Sequence, residues 1–203
     1  MILMSDSYLT IGEPTEGLFK EKGSKFIAYA YPVSGQDEIK EHLQHLKKEH
    51  YSARHHCFAW RLGAEKKLFR ANDDGEPSSS AGKPILGQIQ KFNLTNVLIV
   101  VVRYFGGTLL GVSGLVNAYR SAAADAIAKA NIIEELVEQF FWVEYEYPLM
   151  NEVMKVLKDN NLPQLKTEFE MNCKIKSSIR ISESERIFKS FNNIRGVTLK
   201  LVE

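Results

Sequence analysis

An unbroken aliphatic run, Val97–Val102, ends abruptly in Arg103-Tyr-Phe-Gly-Gly-Thr-Leu-Leu-Gly111, and this junction constrains the fold more than any other segment. A run this short cannot cross a bilayer, which takes about 20 apolar residues. With no polar alternation it reads instead as a strand buried on both faces at a sheet's centre. An alanine-rich helix follows over Val112–Ala130. Its small residues let it pack closely on the sheet, with Asn117, Ser121 and Asp125 facing outward at i, i+4 spacing.

Other elements can be placed around that strand. Glu16–Lys20 and Lys25–Val33 are rich in β-formers and flank Glu21–Ser24, as in a hairpin. Gln36–His50 carries Ile39, Leu43 and Leu46 at helical spacing. His55–Leu62 alternates as a strand, with His56, Phe58, Trp60 and Leu62 on one face and His55, Cys57, Ala59 and Arg61 on the other. Asn72–Pro84 is dense in turn formers and reads as a functional or mobile loop, before a short helix over Pro84–Phe92.

The last third has its own order. It comprises a strand at Val137–Tyr147, a helix at Pro148–Asn160, a strand pair at Leu165–Met171 and Cys173–Ile181, a helix with Ile187, Phe188 and Phe191, and a strand at Gly196–Val202. Ser182 with Glu185 forms a capping box before the second helix. This βαββαβ order is the split-βαβ, ferredoxin-like plan. The expected class is therefore α+β in two domains, 1–134 and 135–203, with the boundary near Asn131–Leu136.

Composition limits the chemistry. Hydrophobic residues make up 44% and charged residues 25%, an ordinary globular balance. A cut near Leu136 leaves 16 Lys and Arg against 15 Asp and Glu before it, and 10 against 10 after it. Neither half is a basic nucleic-acid sink. The two cysteines, Cys57 and Cys173, fall in different predicted domains, which fits a reducing, cytoplasmic setting. Met1–Met4 is a short greasy stretch without the charge and length of a signal peptide. A soluble protein with no membrane partner is expected.

Two segments could carry function. In the first, glycines 106, 107 and 111 would let backbone amides approach a ligand at a helix start, which favours an anion. Arg103 would add a phosphate contact, and Tyr104 or Phe105 a stacking face. The competing reading is a tight turn with close helix packing. In the second, Asp73, Asp74 and Glu76, with Gly75 between them, could hold magnesium, with Lys83 on a phosphate. The competing reading is a loop bonded to its own backbone.

Other patterns carry less. His55 and His56 point to opposite faces, and His42 and His45 lack a third ligand, so no metal or other cofactor is called for. Cys57 lacks a base partner. Gly23-Ser24-Lys25 has Ser and Lys in the wrong order for a P-loop. Lys174, Lys176 and Arg180 share a strand face opposite Glu144, Glu146, Glu168 and Glu170, an arrangement that cross-strand ion pairing explains.

Asp73-Asp-Gly-Glu-Pro-Ser and Val101-Val-Arg-Tyr-Phe-Gly-Gly-Thr-Leu-Leu-Gly111 resemble the YigZ/IMPACT family. So do Glu16–Ile27, Ala53-Arg-His-His-Cys57 and Ala81-Gly-Lys-Pro84. Ser79-Ser80 depart from the family's usual Gly-Thr. The resemblance implies a first domain with the left-handed β-α-β fold of ribosomal-protein and elongation-factor domains. It implies a second domain similar to the last domain of elongation factor G. Eukaryotic members restrain a translation-controlling stress kinase by competing for its activator, through an additional N-terminal domain that this chain lacks, so that partnership does not carry over.

Residues and resemblance together point to a non-enzymatic regulator or accessory factor of translation. It would bind RNA, the ribosome or a protein partner through Arg103, Tyr104, Gly106 and Gly107, with Arg54, His55 and Lys83 nearby. The alternative is a magnesium-dependent enzyme acting on a nucleotide or phosphorylated substrate through Asp73, Asp74 and Glu76. No catalytic residue is assigned, and oligomeric state is left open.

Overall fold

The computed structural model describes residues 6–169 and 172–202. The expectations for Met1–Met4, Glu170 and Met171 lie outside the described residues. The protein is α+β, with a five-stranded, a four-stranded and a two-stranded sheet among the described residues. It divides into two compact units, one spanning Ser7–Glu135 and the other containing Asp6 and the chain from Leu136.

In the first unit, strands β1 (Ser7–Ile11), β2 (Thr15–Glu21) and β3 (Ser24–Pro32) precede helix α1 (Gln36–Glu49). Then come β4 (His55–Leu62), β5 (Leu68–Asn72), helix α2 (Gly82–Lys91), β6 (Val97–Tyr104), helix α3 (Gly111–Lys129) and β7 (Ile132–Leu136). The main sheet runs β2-β3-β6-β4-β5, with β6 antiparallel to both of its neighbours. Its aliphatic run is central, as its composition requires.

Alternate residues of β6 feed two cores. Leu98, Val100 and Val102 meet Trp60, Leu62, Ile39 and Leu46 under α1. Ile99 and Val101 meet Cys57, Ala59 and the alanines of α3 on the other face. Each such aliphatic side chain contributes roughly 1.5–3 kcal/mol on burial. The close helix approach is real: a Cβ on Gly17 would overlap the backbone of Ala122 and Ala126. Asp125 is not simply outward, because it accepts from the Leu18 amide at 2.8 Å and pairs with Lys129 at 2.7 Å.

Three strands lack a sequence signal. β5 pairs only with β4 at the sheet edge, and Leu68, Phe69 and Arg70 stay exposed. β1 and β7 form the separate two-stranded sheet, and Tyr8 donates to Glu135 at 2.5 Å.

The second unit contains β8 (Glu138–Tyr145), α4 (Met150–Asp159), β9 (Lys166–Phe169), β10 (Cys173–Arg180), α5 (Ser184–Asn192) and β11 (Thr198–Leu201). Its sheet runs β11-β8-β10-β9 with every pair antiparallel. Phe141, Val143 and Ile175 pack with Val153, Leu157, Ile187 and Phe191 of the two helices. The expected capping box does not form. Ile181–Glu183 is a single 3-10 turn, and Ser182 bonds through its amide and hydroxyl to Asp6.

Candidate functional site

At the end of β6, Arg103 does not reach for a phosphate. Its guanidinium is buried against Glu76, with Nη1 donating to Oε1 at 2.6 Å and side chains only 8% and 4% exposed. Tyr119 of α3 donates to the same oxygen at 2.8 Å. The Cys57 thiol lies 3.3 Å from that hydroxyl and 3.0 Å from the Asp73 carbonyl. Burial pushes both the Tyr119 hydroxyl and the Cys57 thiol far up, so both stay protonated. Arg103 therefore ties β6 to the acidic loop and α3. Tyr119 was the unread partner, because its position in an alanine-rich helix marks it only as core.

The acidic loop is also turned inward. Asp73 accepts from the amides of Ser79 (2.8 Å), Ala81 (3.0 Å) and Gly82 (2.8 Å), closing the loop onto the start of α2. Burial raises its pKa, but those amides, with the Lys83 charge, outweigh it and hold the carboxyl below 3.8. Asp74 accepts from the His56 amide at 2.7 Å. With Glu76 on Arg103, the three carboxylates diverge, which corrects the magnesium reading. Among the described residues no group of three or more His, Cys, Asp or Glu is placed to share an ion.

The glycines divide by role. A Cβ on Gly106 would overlap the backbone of Gly23 and Ser24, and the Gly106 amide donates to Ser24 Oγ at 3.1 Å. That amide is committed to the β2–β3 turn and is not offered to a ligand. Gly107 (φ 85°) and Gly111 (φ 71°) have open space around them and are needed for their left-handed backbone.

Beside this braced turn lies a cleft of about 470 Å³, lined by Ser52, Arg54, His55, Arg103, Tyr104, Phe105 and Leu109. Arg54 precedes β4 and is exposed. The Phe105 ring is 56% exposed, 5.7 Å from the Arg103 guanidinium carbon. His55 Nδ1 lies 2.8 Å from the Asp74 carbonyl. A carbonyl only accepts, so Nδ1 donates to it, which selects the tautomer whose lone pair sits on Nε2. Tyr104 turns its hydroxyl to His50 Nδ1 at 2.8 Å, and His50 Nε2 meets the Tyr29 hydroxyl at 2.8 Å. The cleft thus gathers Arg54, His55, Arg103 and Tyr104. Ser52 and Leu109 join them from flanking loops, with no sequence signal to single them out. Lys83 is exposed near Asp73 and does not line it.

Residues 22–127 match the Impact N-terminal domain family, and this stretch contains the whole cleft. Over 181 residues the chain is 30% identical to the IMPACT family member YvyE of Bacillus subtilis, covering 89% of this chain and 83% of YvyE. The chain belongs to the IMPACT family. The IMPACT family member YigZ of Escherichia coli is 38% identical over 124 residues, 60% of this chain and 61% of YigZ. Protein IMPACT of Rattus norvegicus is 38% identical over 96 residues, 45% of this chain but 30% of its own length. A crystal structure described as that of an hypothetical protein superposes with a TM-score of 0.75 at 27% identity, covering 98% of each chain.

The one departure from the IMPACT loop pattern now has a geometry. Ser79, where the resemblance implied a glycine, takes a left-handed backbone, φ 65°, which carries a Cβ penalty that glycine avoids. Its backbone amide donates a hydrogen bond to Asp73 Oδ2, which holds it there. No described helix is long and apolar enough to cross a membrane.

Proposed function

We propose that this IMPACT family protein is a non-enzymatic accessory factor of translation, working in the cytoplasm, whose first unit binds RNA at the cleft beside Arg103. The convergence of an exposed guanidinium (Arg54), an exposed ring (Phe105) and an imidazole acceptor (His55) in one cleft carries this reading. A guanidinium takes a phosphate, a ring takes a base, and an imidazole lone pair accepts from a ribose hydroxyl or base N–H. Arg103 and Glu76 brace that surface and are not its contacts. Two free buried cysteines, Cys57 and Cys173, accord with a reducing compartment. The proposal includes the fold kinships. The β3–α1–β4 crossover, with β6 between its parallel strands, is the unit whose left-handed sense the resemblance implies. The βαββαβ order of the second unit is the ferredoxin-like plan.

The test is anisotropy of a labelled single-stranded RNA at several salt concentrations. Arg54→Ala should weaken binding and flatten the log K against log salt slope by about 0.7, one phosphate contact. Phe105→Ala should weaken binding about tenfold and leave the slope unchanged. Wild-type affinity and slope in both variants would sink the siting.

A further inference from the structure

The face of the second unit's sheet opposite α4 and α5 carries a pattern that ion pairing does not exhaust. Phe141 and Val143 of β8 are fully buried under the helices, while Phe140, Trp142 and Glu144 point the other way, Phe140 with 39% exposure. The register sets Lys200, Trp142, Lys176 and Lys166 in one row across all four strands. The next row is Thr198, Glu144, Lys174 and Glu168.

Glu144 pairs with Lys174 (3.3 Å) and Lys200 (2.8 Å), and Glu168 with Lys166 (2.6 Å). Among the described residues Lys176 has no carboxylate partner. Its ammonium lies 5.6 Å from the Phe140 ring centroid, and that of Lys166 lies 5.8 Å from Trp142. Three lysines therefore share two carboxylates and the fourth has none among the described residues, around two rings on the strand beside β10. An acidic peptide would use the lysines but not the rings, and an apolar partner would bury the surplus ammonium at a cost. Stacked bases joined by phosphates use both.

We propose that this face is a binding platform for single-stranded RNA, with bases stacking on Trp142 and Phe140 and phosphates meeting Lys176 and its row neighbours. Side chains two residues apart on a strand stand roughly 7 Å apart, which leaves room for successive bases of an extended chain. The choice of RNA as occupant rests on the proposed role in translation; the platform is separate from the cleft.

The full chain is titrated with a short oligouridylate while tryptophan emission and anisotropy are followed. Trp60 is 6% exposed, so a change in emission reports Trp142. Quenching is expected in the wild type. Trp142→Phe should lose the quench and keep the affinity within about threefold, because phenylalanine still stacks. Trp142→Ala, checked for an unchanged circular dichroism spectrum, should bind about tenfold more weakly. Lys176→Ala should flatten the salt slope by about 0.7.

No quench at saturation, or wild-type affinity in Trp142→Ala, overturns the platform. A deoxyoligonucleotide bound as tightly overturns RNA as the occupant. Loss of affinity in Arg54→Ala alone overturns the platform and upholds the cleft. Loss in Trp142→Ala alone upholds the platform against the cleft.

Discussion

Glu76 bears two bonds from different elements, and what each replacement would leave behind separates bracing from binding. Glu76→Ala strands the Arg103 guanidinium near the rings of Phe26 and Phe105 with no carboxylate, and takes the acceptor from the Tyr119 hydroxyl in the core. Breaking a buried pair from one side costs roughly 3–5 kcal/mol, mostly as the uncompensated charge. Arg54→Ala touches an exposed side chain and should fall within about 0.5 kcal/mol of wild type. Urea unfolding of the two variants measures this contrast. A Glu76→Ala protein as stable as the wild type would mean that Arg103 finds solvent or another partner, and the bracing role would fall. The pair was beyond sequence reading because its partners lie on a loop, a strand and a helix. Alone, Arg103 looks like a free cation and Glu76 like one of a metal-binding trio.

Among elements, the turn after β6 is held by the turn between β2 and β3, and Gly106 is where they meet. Its Cβ would strike backbone atoms of Gly23 and Ser24, which cannot rotate away, so Gly106→Ala must displace one of the turns. A cost of roughly 1–3 kcal/mol follows, together with weaker RNA binding, since Phe105 adjoins the displaced residue. Gly107→Ala meets open space and bears only the left-handed penalty, roughly 1–2 kcal/mol, with Phe105 left in place. Denaturation and anisotropy on both variants decide the point, and equal RNA affinity in the two would count against a turn-on-turn contact that positions the ring. Strands with a strong pattern were legible: β6 from its unbroken aliphatics, β4 from its alternation, and the βαββαβ order from its spacing. β5 and β7 were not, because their pairing is made by partners distant in sequence while their own side chains stay largely exposed. On the sheet face away from the helices, the expected pair of Lys174 with Glu144 forms, while Glu168 pairs along its own strand with Lys166 and Lys176 has no carboxylate among the described residues. Trp142 and Phe140 were not legible there, because alternation alone does not say which face the helices cover.

Across the whole molecule, several groups bind fewer protons folded than unfolded, and they set the direction of its acid response. The Lys129 bond and the Leu18 amide hold Asp125 below 3.8. Lys200 does the same for Glu144 against its burial, with Lys174 assisting, below 4.5. The amides on Asp73 outweigh its burial. Each carboxylate contributes stability above its ordinary value and loses it as the pH falls through the lower folded value. His56 acts in the same direction for a different reason. Burial holds the ring below 6.5 despite the pull of Asp74, so the unfolded chain takes up that proton first. Stability should therefore decline in two stages on acidification, first below about pH 6.5 as unfolded His56 protonates, then again below about 4.5. His56→Gln should remove the first stage and Asp73→Asn should shrink the second, read from urea midpoints between pH 8 and pH 3. A first stage that persists in His56→Gln would assign it to another group and leave the buried imidazole without a part in the acid response.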